Sequence, residues 1–187
     1  MFENKMPRYE IMSEESMATL TAGWKRIVSE IGIEFASPWA VDMLREAGQT
    51  VEGENVKFDP EWILKQIAKA PSEFTLRARN PKNNAKVGGN HMAFGSVYGP
   101  PFVQKEGVRR DGTFEDFQNF CRLAQSFDSI DSVGGVVVEP NDLSLDSRHL
   151  DMAFAQATLT DKFFMGNVVT AENARDVIAM EIGRAHV

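Results

Sequence analysis

A continuous apolar run, Ser132-Val133-Gly134-Gly135-Val136-Val137-Val138, constrains the fold of this 187-residue chain more than any other feature. The run has the length of a strand but does not alternate between apolar and polar residues, and such strands are buried on both faces, as in parallel sheets. A helical pattern over Ser147–Leu159, a second apolar run over Phe163–Val169 and a helix start at Ala171 follow it. This order predicts the opening of a parallel α/β domain, either a barrel or a doubly wound sheet.

Two different patterns precede the apolar run. Apolar residues at helical spacing over 9–72 predict an N-terminal helical layer, and alternation with frequent turn residues over 73–112 predicts an antiparallel β region. Thr113 followed by Asp116 indicates a capped helix at the start of the third region, 113–180. We therefore expect an α/β protein whose third region opens a barrel or a doubly wound sheet, preceded by an N-terminal helical and antiparallel β extension. We expect it to be truncated, because two strands cannot close a barrel.

The end of the chain has an unusual sequence. Residues 181–187 read Glu-Ile-Gly-Arg-Ala-His-Val, which resembles the translation of a sequencing adapter. We expect this segment to be read-through, so that His186 is no ligand candidate and the chain is an N-terminal fragment of a longer protein. The alternative is that these are native residues at the end of an ordinary helix.

Composition excludes several classes of function. A formal net charge of −7 and a pI near 5.0 argue against a nucleic-acid binder, which needs a basic face. The single cysteine, Cys121, can form neither an intramolecular disulfide nor a CxxC metal site, and we predict no metal site. No apolar run approaches the roughly 20 residues of a membrane helix. We expect a cytoplasmic protein that binds neither nucleic acid nor membrane.

Polar side chains follow both apolar runs at their carboxyl ends, where reacting groups lie in parallel α/β folds. Glu139, Asn141 and Asp142 follow the first run, and Asn167 and Thr170 lie at the end of the second. Acids and amides in this position suit a polar or cationic ligand. The alternative is that Asp142 and Thr170 only cap the helices that follow. Glu139 is the strongest candidate, because a carboxylate directly after three valines must be partnered or functional.

Three further features have both a functional and a structural interpretation. The loop Phe94–Pro101 contains glycines and the aromatic face of Tyr98, and its alternative interpretation is a plain β-turn loop. His149 is either a base or ligand, or a helix residue bonded to backbone. Cys121 falls on the apolar face of the 113–127 helix, which favours a core residue over a nucleophile. The sequence contains neither GxGxxG nor GxxxxGK[ST], so it predicts no phosphate cradle.

Eight short stretches, in this order and spacing, resemble the trimethylamine methyltransferase (MttB-like) family of corrinoid-dependent methyltransferases. The likeness runs from about Tyr9 to Met180. The stretches are Tyr9–Ser13, Ile31–Phe35, Leu44–Gly48, Ala70–Leu76, Arg79–Pro81, Gly112–Phe117, Val138–Asp142 and Arg148–Asp151.

The resemblance implies a TIM-barrel protein with an N-terminal helical and antiparallel β extension, so we expect this chain to be the truncated start of a TIM-type barrel. It implies transfer of a methyl group from a small methylated amine, trimethylamine or a quaternary amine, to the Co(I) corrinoid of a partner protein. The chain would then bind no cofactor directly, and the full-length form could be a homo-oligomer. Some members carry pyrrolysine at a position that would lie beyond residue 187, so the resemblance assigns no catalytic residue here.

A methylated ammonium group is held by aromatic faces and nearby carboxylates. We therefore predict a substrate pocket to which Glu139, Asn141, Asp142, Asn167 and Tyr98 contribute, with Glu139 and Tyr98 at the pocket or its rim. Two alternatives stay open: a non-catalytic small-molecule binding module with the same fold, and a different α/β barrel enzyme.

Overall fold

The computed structural model describes residues 2–7 and 9–184, and it combines helices with antiparallel sheets. The chain divides into two compact units. One unit is Met6–Pro71. The other combines the first strand, β1 (Phe2–Glu3), with the chain from Ser72 onward, and it contains all the candidate site residues.

The unit Met6–Pro71 contains three helices, α1 (Glu14–Arg26), α2 (Pro38–Glu46) and α3 (Pro60–Ile67). Each begins where the sequence supplies a cap or a proline. Ser13 caps α1, because its side chain accepts a hydrogen bond from the backbone N–H of Ser16 at 3.2 Å. Prolines open the other two helices, at positions where the missing N–H would have no partner within the helix. A π-helical segment, Ile27–Ile31, continues α1 and ends at Gly32, which has a φ of +83°.

A three-stranded antiparallel sheet completes this unit, with β2 (Ile33–Glu34), β3 (Thr50–Glu52) and β4 (Asn55–Lys57) in the order β2-β4-β3. The sequence from Val51 to Val56 is typical of a small hairpin or a turn, and the structure shows a hairpin in which Val51 pairs with Val56. Leu44, Val56 and Phe58 form the buried core against which the sheet packs.

The second unit begins with antiparallel strands. They are β5 (Glu73–Leu76), β6 (Ala85–Gly88), β7 (His91–Met92), β8 (Phe102–Lys105) and β9 (Val108–Asp111). The first sheet has the order β1-β7-β6-β5, and β8 pairs with β9 as a separate hairpin. Strand β7 ends at Met92, because the backbone of Phe94 pairs with a different neighbour: its carbonyl accepts from the N–H groups of Asp131 and Ser132.

Beyond β7, three extended segments run side by side in the same direction. Single parallel bridges join Gly95 to Ser132 and Ser132 to Phe163. The Met165 N–H also donates to the Gly134 carbonyl at 2.9 Å. The carboxyl ends of these segments therefore lie at one edge, which is where the sequence placed its candidate site residues.

The prediction of regular strands over 132–138 and 163–169 is wrong, because each segment contains only a single bridging residue. Gly134 adopts a φ of +82°, which turns the backbone out of a continuous ladder. Burial of the first run is nevertheless confirmed: Val133 and Val138 are fully buried, and Val136 and Val137 are at most 9% exposed.

Helices α4 (Phe114–Ser126), α5 (Arg148–Leu159) and α6 (Ala171–Arg184) follow in the expected places. Side chains from α4 and α5 pack against the valines in one core cluster. Cys121 is fully buried in that cluster, and burial raises the pKa of its thiol to about 12, so the core interpretation is confirmed. None of the described helices is both long and apolar enough to cross a bilayer.

The predicted adapter segment, 181–187, falls only partly within the described chain. Residues 181–184 continue α6, whereas residues 185–187, His186 among them, lie outside the described residues.

The predicted cap of α4 is confirmed and is extended by an arginine. The Asp116 carboxylate accepts from the Thr113 N–H at 3.0 Å, and the Thr113 hydroxyl accepts from the Asp116 N–H at 3.3 Å. Arg110 donates to the same carboxylate, 2.8 Å from Oδ1. The hydrogen bonds from Arg110 and Thr113 hold the pKa of Asp116 well below its usual range.

We expect Asp116→Asn to lower the free energy of unfolding by about 1 kcal/mol at pH 7, the usual value of a lost cap. The folded pKa is depressed, so the stabilisation is complete above the unfolded pKa of about 4 and declines as the pH falls below it. The difference between the two proteins should therefore shrink between pH 4 and pH 2.5, as measured by urea unfolding. Exposed Asp128→Asn is the matched control and should change stability little at either pH.

Candidate functional site

A cavity of about 300 Å³ lies at the carboxyl ends of the second and third extended segments. We call it the Glu139 pocket. Its lining combines two charged side chains with an aromatic ring, amides and apolar residues: Tyr98, Val136, Glu139, Leu145, Arg148, His149, Met152, Asn167, Val168, Val169, Thr170 and Asn173.

The two charged side chains of the pocket form an ion pair. Arg148 Nη2 lies 2.9 Å from Glu139 Oε2, and both side chains are about three-quarters buried. The contact lacks the alignment of a hydrogen bond, since Oε2 accepts none. The expectation that a carboxylate after three valines needs a partner is thus met by Arg148, and the pair leaves a negative and a positive group side by side in the pocket wall.

Tyr98 supplies the aromatic face of the pocket. Its ring lies directly on the Cα of Gly135, so that a side chain at this glycine would overlap the ring atoms Cδ2, Cε2 and Cζ. Tyr98 as a whole is still 58% exposed, so the residue remains accessible to a ligand. A glycine in the apolar run is therefore what allows the aromatic side chain to approach the backbone.

Asn167 is the third predicted residue that the fold brings into the pocket, and it is only 3% exposed. Its Nδ2 donates to Gln156 Oε1 at 2.7 Å, and Gln156 Nε2 in turn donates to the carbonyl of Gly135, also at 2.7 Å. The amide oxygen of Asn167 is buried and accepts no hydrogen bond within the described structure.

The other two predicted residues bond to backbone and do not line the pocket. Asn141 Nδ2 donates to the carbonyl of Pro101 at 2.9 Å and to that of Glu139 at 3.1 Å. Asp142 accepts from the Phe114 N–H at 2.7 Å and therefore caps α4. The alternative interpretation, that Asp142 caps the helix following it in the sequence, is wrong. Both contacts fix the loop after the valines in place.

His149 and Thr170 both have structural partners. His149 is buried, and its Nε2 lies 3.1 Å from Asp176 Oδ2 on α6, so its partner is a side chain and not backbone. The Thr170 hydroxyl accepts from the Asn173 N–H at 3.1 Å and caps α6, as the alternative interpretation held.

Sequence reasoning missed Arg148 and Gln156 as site residues. Arg148 is the first residue of α5, where a cation opposes the helix dipole, and Ser147 offers no side-chain cap. Gln156 is the lone amide in the alanine-rich face of the same helix. An unfavourable charge position and an isolated buried amide are the signals that could have identified them.

A second cavity, of about 420 Å³, has a different chemical character. It is lined by apolar side chains with Ser96 as the one polar residue: Ser96, Val97, Pro100, Phe102, Phe120, Leu123, Ala124, Phe127, Ile130, Val137 and Val138. It contains no titratable group. Among residues 2–7 and 9–184, no cluster of three or more His, Cys, Asp or Glu side chains is arranged to hold a metal ion. The Glu139 pocket is therefore the better candidate for binding a charged ligand.

Comparison of the sequence with known proteins identifies three relatives that are methyltransferases by name. The chain is 37% identical over 174 residues to the glycine betaine methyltransferase of Desulfitobacterium hafniense strain Y51, covering 92% of this chain and 36% of the relative. It is 27% identical to the proline betaine:corrinoid methyltransferase of Eubacterium limosum, over 80% of this chain and 31% of that protein. It is 26% identical to the trimethylamine methyltransferase MttB of D. hafniense strain DSM 10664 / DCB-2, over 65% and 25%.

The chain spans between a quarter and just over a third of the length of these relatives. The family model described as trimethylamine methyltransferase (MTTB) matches residues 1–183, which is nearly all of the sequence. The expected family resemblance is thereby confirmed: this chain belongs to the trimethylamine methyltransferase (MTTB) family.

Proposed function

We propose that this chain is part of an enzyme that transfers a methyl group from a small methylated amine to the Co(I) corrinoid of a partner protein. Membership of the family and the methyltransferase names of its relatives support the reaction class. The name of the proline betaine:corrinoid relative supports the corrinoid acceptor. Within this chain, the Glu139 pocket is the proposed binding site of the amine.

We also propose that residues 113–180 are the first βα units of a TIM-type barrel, with 9–72 and 73–112 as its N-terminal extension. The support is the parallel alignment of the segments at Ser132 and Phe163, together with the helix α5 that connects them. In such a barrel, the ligand site lies at the carboxyl ends of the strands. The position of the Glu139 pocket agrees with that rule.

The observation that carries the proposed substrate is the ion pair in the pocket wall. A simple ammonium cation gains most from a site of net negative charge, whereas Glu139 and Arg148 together are neutral. A zwitterion that carries both a quaternary ammonium and a carboxylate complements the pair, with the carboxylate toward Arg148. Tyr98 adds the aromatic face that quaternary ammonium groups prefer. We therefore propose a betaine as the substrate.

In the proposed reaction, the residues of this chain hold the amine and keep water away from it. A methyl group on nitrogen is readily transferred only when the nitrogen is cationic, because the N–C bond then breaks with a neutral amine as the leaving group. A quaternary ammonium has this charge at every pH. When the carrier docks, the corrinoid supplies the Co(I) nucleophile. The side chains of Leu145, Val168 and Val169 line the pocket, are apolar and are exposed, which fits a water-excluding contact with such a carrier.

Two substitutions test the substrate assignment. Glu139→Gln should weaken the binding of both glycine betaine and tetramethylammonium to the purified chain by about tenfold, because both present the same cation to the carboxylate. Arg148→Gln should weaken the binding of glycine betaine by a similar factor. It should leave the affinity for tetramethylammonium unchanged or increase it. Isothermal titration calorimetry measures both constants.

The exposed acid Glu115 on α4 provides the matched control, and Glu115→Gln should bind both ligands as the unsubstituted chain does. Failure of the unsubstituted chain to bind glycine betaine would contradict the proposed site. Equal loss of both ligands in Arg148→Gln would contradict the assignment of a betaine and favour a simple methylated amine.

A further inference from the structure

Gln156 is fully buried beneath the Glu139 pocket, and its hydrogen bonds fix the orientation of its amide. Its Nε2 lies 2.7 Å from the carbonyl oxygen of Gly135 and 3.3 Å from that of Gly134. A backbone carbonyl can only accept a hydrogen bond, so the NH₂ group of Gln156 must face these two atoms. Its Oε1 must therefore face the other way, toward Asn167.

The orientation of Gln156 determines that of Asn167. Gln156 Oε1 is an acceptor, so the Asn167 group that meets it at 2.7 Å must be the donor, Nδ2. The Asn167 amide oxygen then lies at the end of a chain of hydrogen bonds that begins at two backbone carbonyls. It cannot be exchanged with the NH₂ group without breaking the bond to Gln156.

This oxygen is buried and accepts no hydrogen bond within the described residues. A buried acceptor without a partner destabilises the fold, so such an atom on a residue of the pocket wall points to a ligand that supplies its partner. The positively polarised C–H groups of a methylated ammonium are suitable partners for a carbonyl oxygen. Of the pocket residues nearby, Tyr98 and Val169 are exposed, which leaves room for them to shift as a ligand enters.

We infer that Asn167 is a ligand contact, whose amide oxygen faces the methylated ammonium group, and that Gln156 is the positioning residue that keeps this oxygen turned toward the ligand. The inference rests on the proposed function of the same pocket. Asn167 then joins Glu139 and Tyr98 as a third residue that contacts the ammonium group. The positioning role also explains why a glutamine occupies an alanine-rich helix face.

The test is a titration of the purified chain with glycine betaine and with tetramethylammonium. Asn167→Leu should weaken both by about tenfold. Gln156→Met, which keeps the side-chain volume but releases the asparagine amide, should weaken both by about threefold. Exposed Asn119→Leu on α4 should leave both constants unchanged. In the unsubstituted chain, the side-chain ¹⁵N resonance of Asn167 should shift as either ligand saturates the pocket, and this readout does not depend on whether a variant folds.

The outcomes separate the two claims. Suppose that both ligands bind and that Glu139→Gln lowers their affinity, but that Asn167→Leu leaves the affinity unchanged and the Asn167 resonance does not shift. The role of Asn167 is then overturned, while the proposed function stands. If Gln156→Met binds as tightly as the unsubstituted chain, the positioning role is overturned. If neither ligand binds to the unsubstituted chain, both the proposed function and this inference fail.

Discussion

Replacing Lys162 with methionine should lower the free energy of unfolding by about 3 kcal/mol, a loss of roughly 10 °C in Tm. Lys162 is only 7% exposed, and its ammonium group donates to the carbonyls of Ala124, Phe127 and Ile130 at 2.6–2.8 Å. These carbonyls lie in and after the last turn of α4, where a cation also complements the helix dipole. Methionine keeps the aliphatic volume but leaves three acceptors without their donor. Thermal and urea unfolding measure the effect.

Lys105→Met is the matched control, because Lys105 is exposed on β8. It should change stability by less than about 0.5 kcal/mol. If the Lys162 variant had the same Tm as this control, the ammonium would have no structural role at the end of α4, and the chain there would be held by the core contacts alone.

Gly112→Ala should lower the free energy of unfolding by about 3 kcal/mol and should also weaken ligand binding in the Glu139 pocket. A Cβ at this glycine would overlap the Cγ2 methyl of Val138 and lie 2.7 Å from the Glu139 carbonyl oxygen. The Val138 side chain is fully buried and the second atom is backbone, so neither can move alone. The strain must therefore displace the segment that carries the Glu139 carboxylate. Urea unfolding and titration with glycine betaine measure the two effects.

Gly95→Ala is the control, because the nearest atom to its new Cβ is the Ser132 Cβ at 3.8 Å, an ordinary contact. It should fold and bind like the unsubstituted chain. A Gly112→Ala protein that lost stability but kept its affinity for glycine betaine would show that ligand binding in the pocket does not depend on the packing of Val138.

Local signals predicted much of the secondary structure. Ser13 and Thr113 begin helices where their side chains cap the first turn, because capping is decided within four residues. The two apolar runs were harder to predict. The first is buried as its composition indicated, whereas Met165, Val168 and Val169 of the second are exposed, and neither run has regular strand geometry. The conformation of Gly134 depends on neighbours distant in sequence, which a local pattern does not contain.

The candidate site was predicted in part. Glu139, Tyr98 and Asn167 line one pocket, whereas the side chains of Asn141 and Asp142 bond to backbone. The rule about strand ends places all these residues at one edge but does not tell which way each side chain turns. Arg148 and Gln156 come from a helix, so the rule did not include them, and their position was decided by packing between elements.

The alignment of the three extended segments separates two kinds of residue along the chain. The valines that hold the core together come first, and the charged and amide groups of the pocket follow them or come from α5. Glu139, Arg148 and Asn167 lie outside the core cluster, so substitutions at these three positions can change the charge of the pocket without opening voids among the valines.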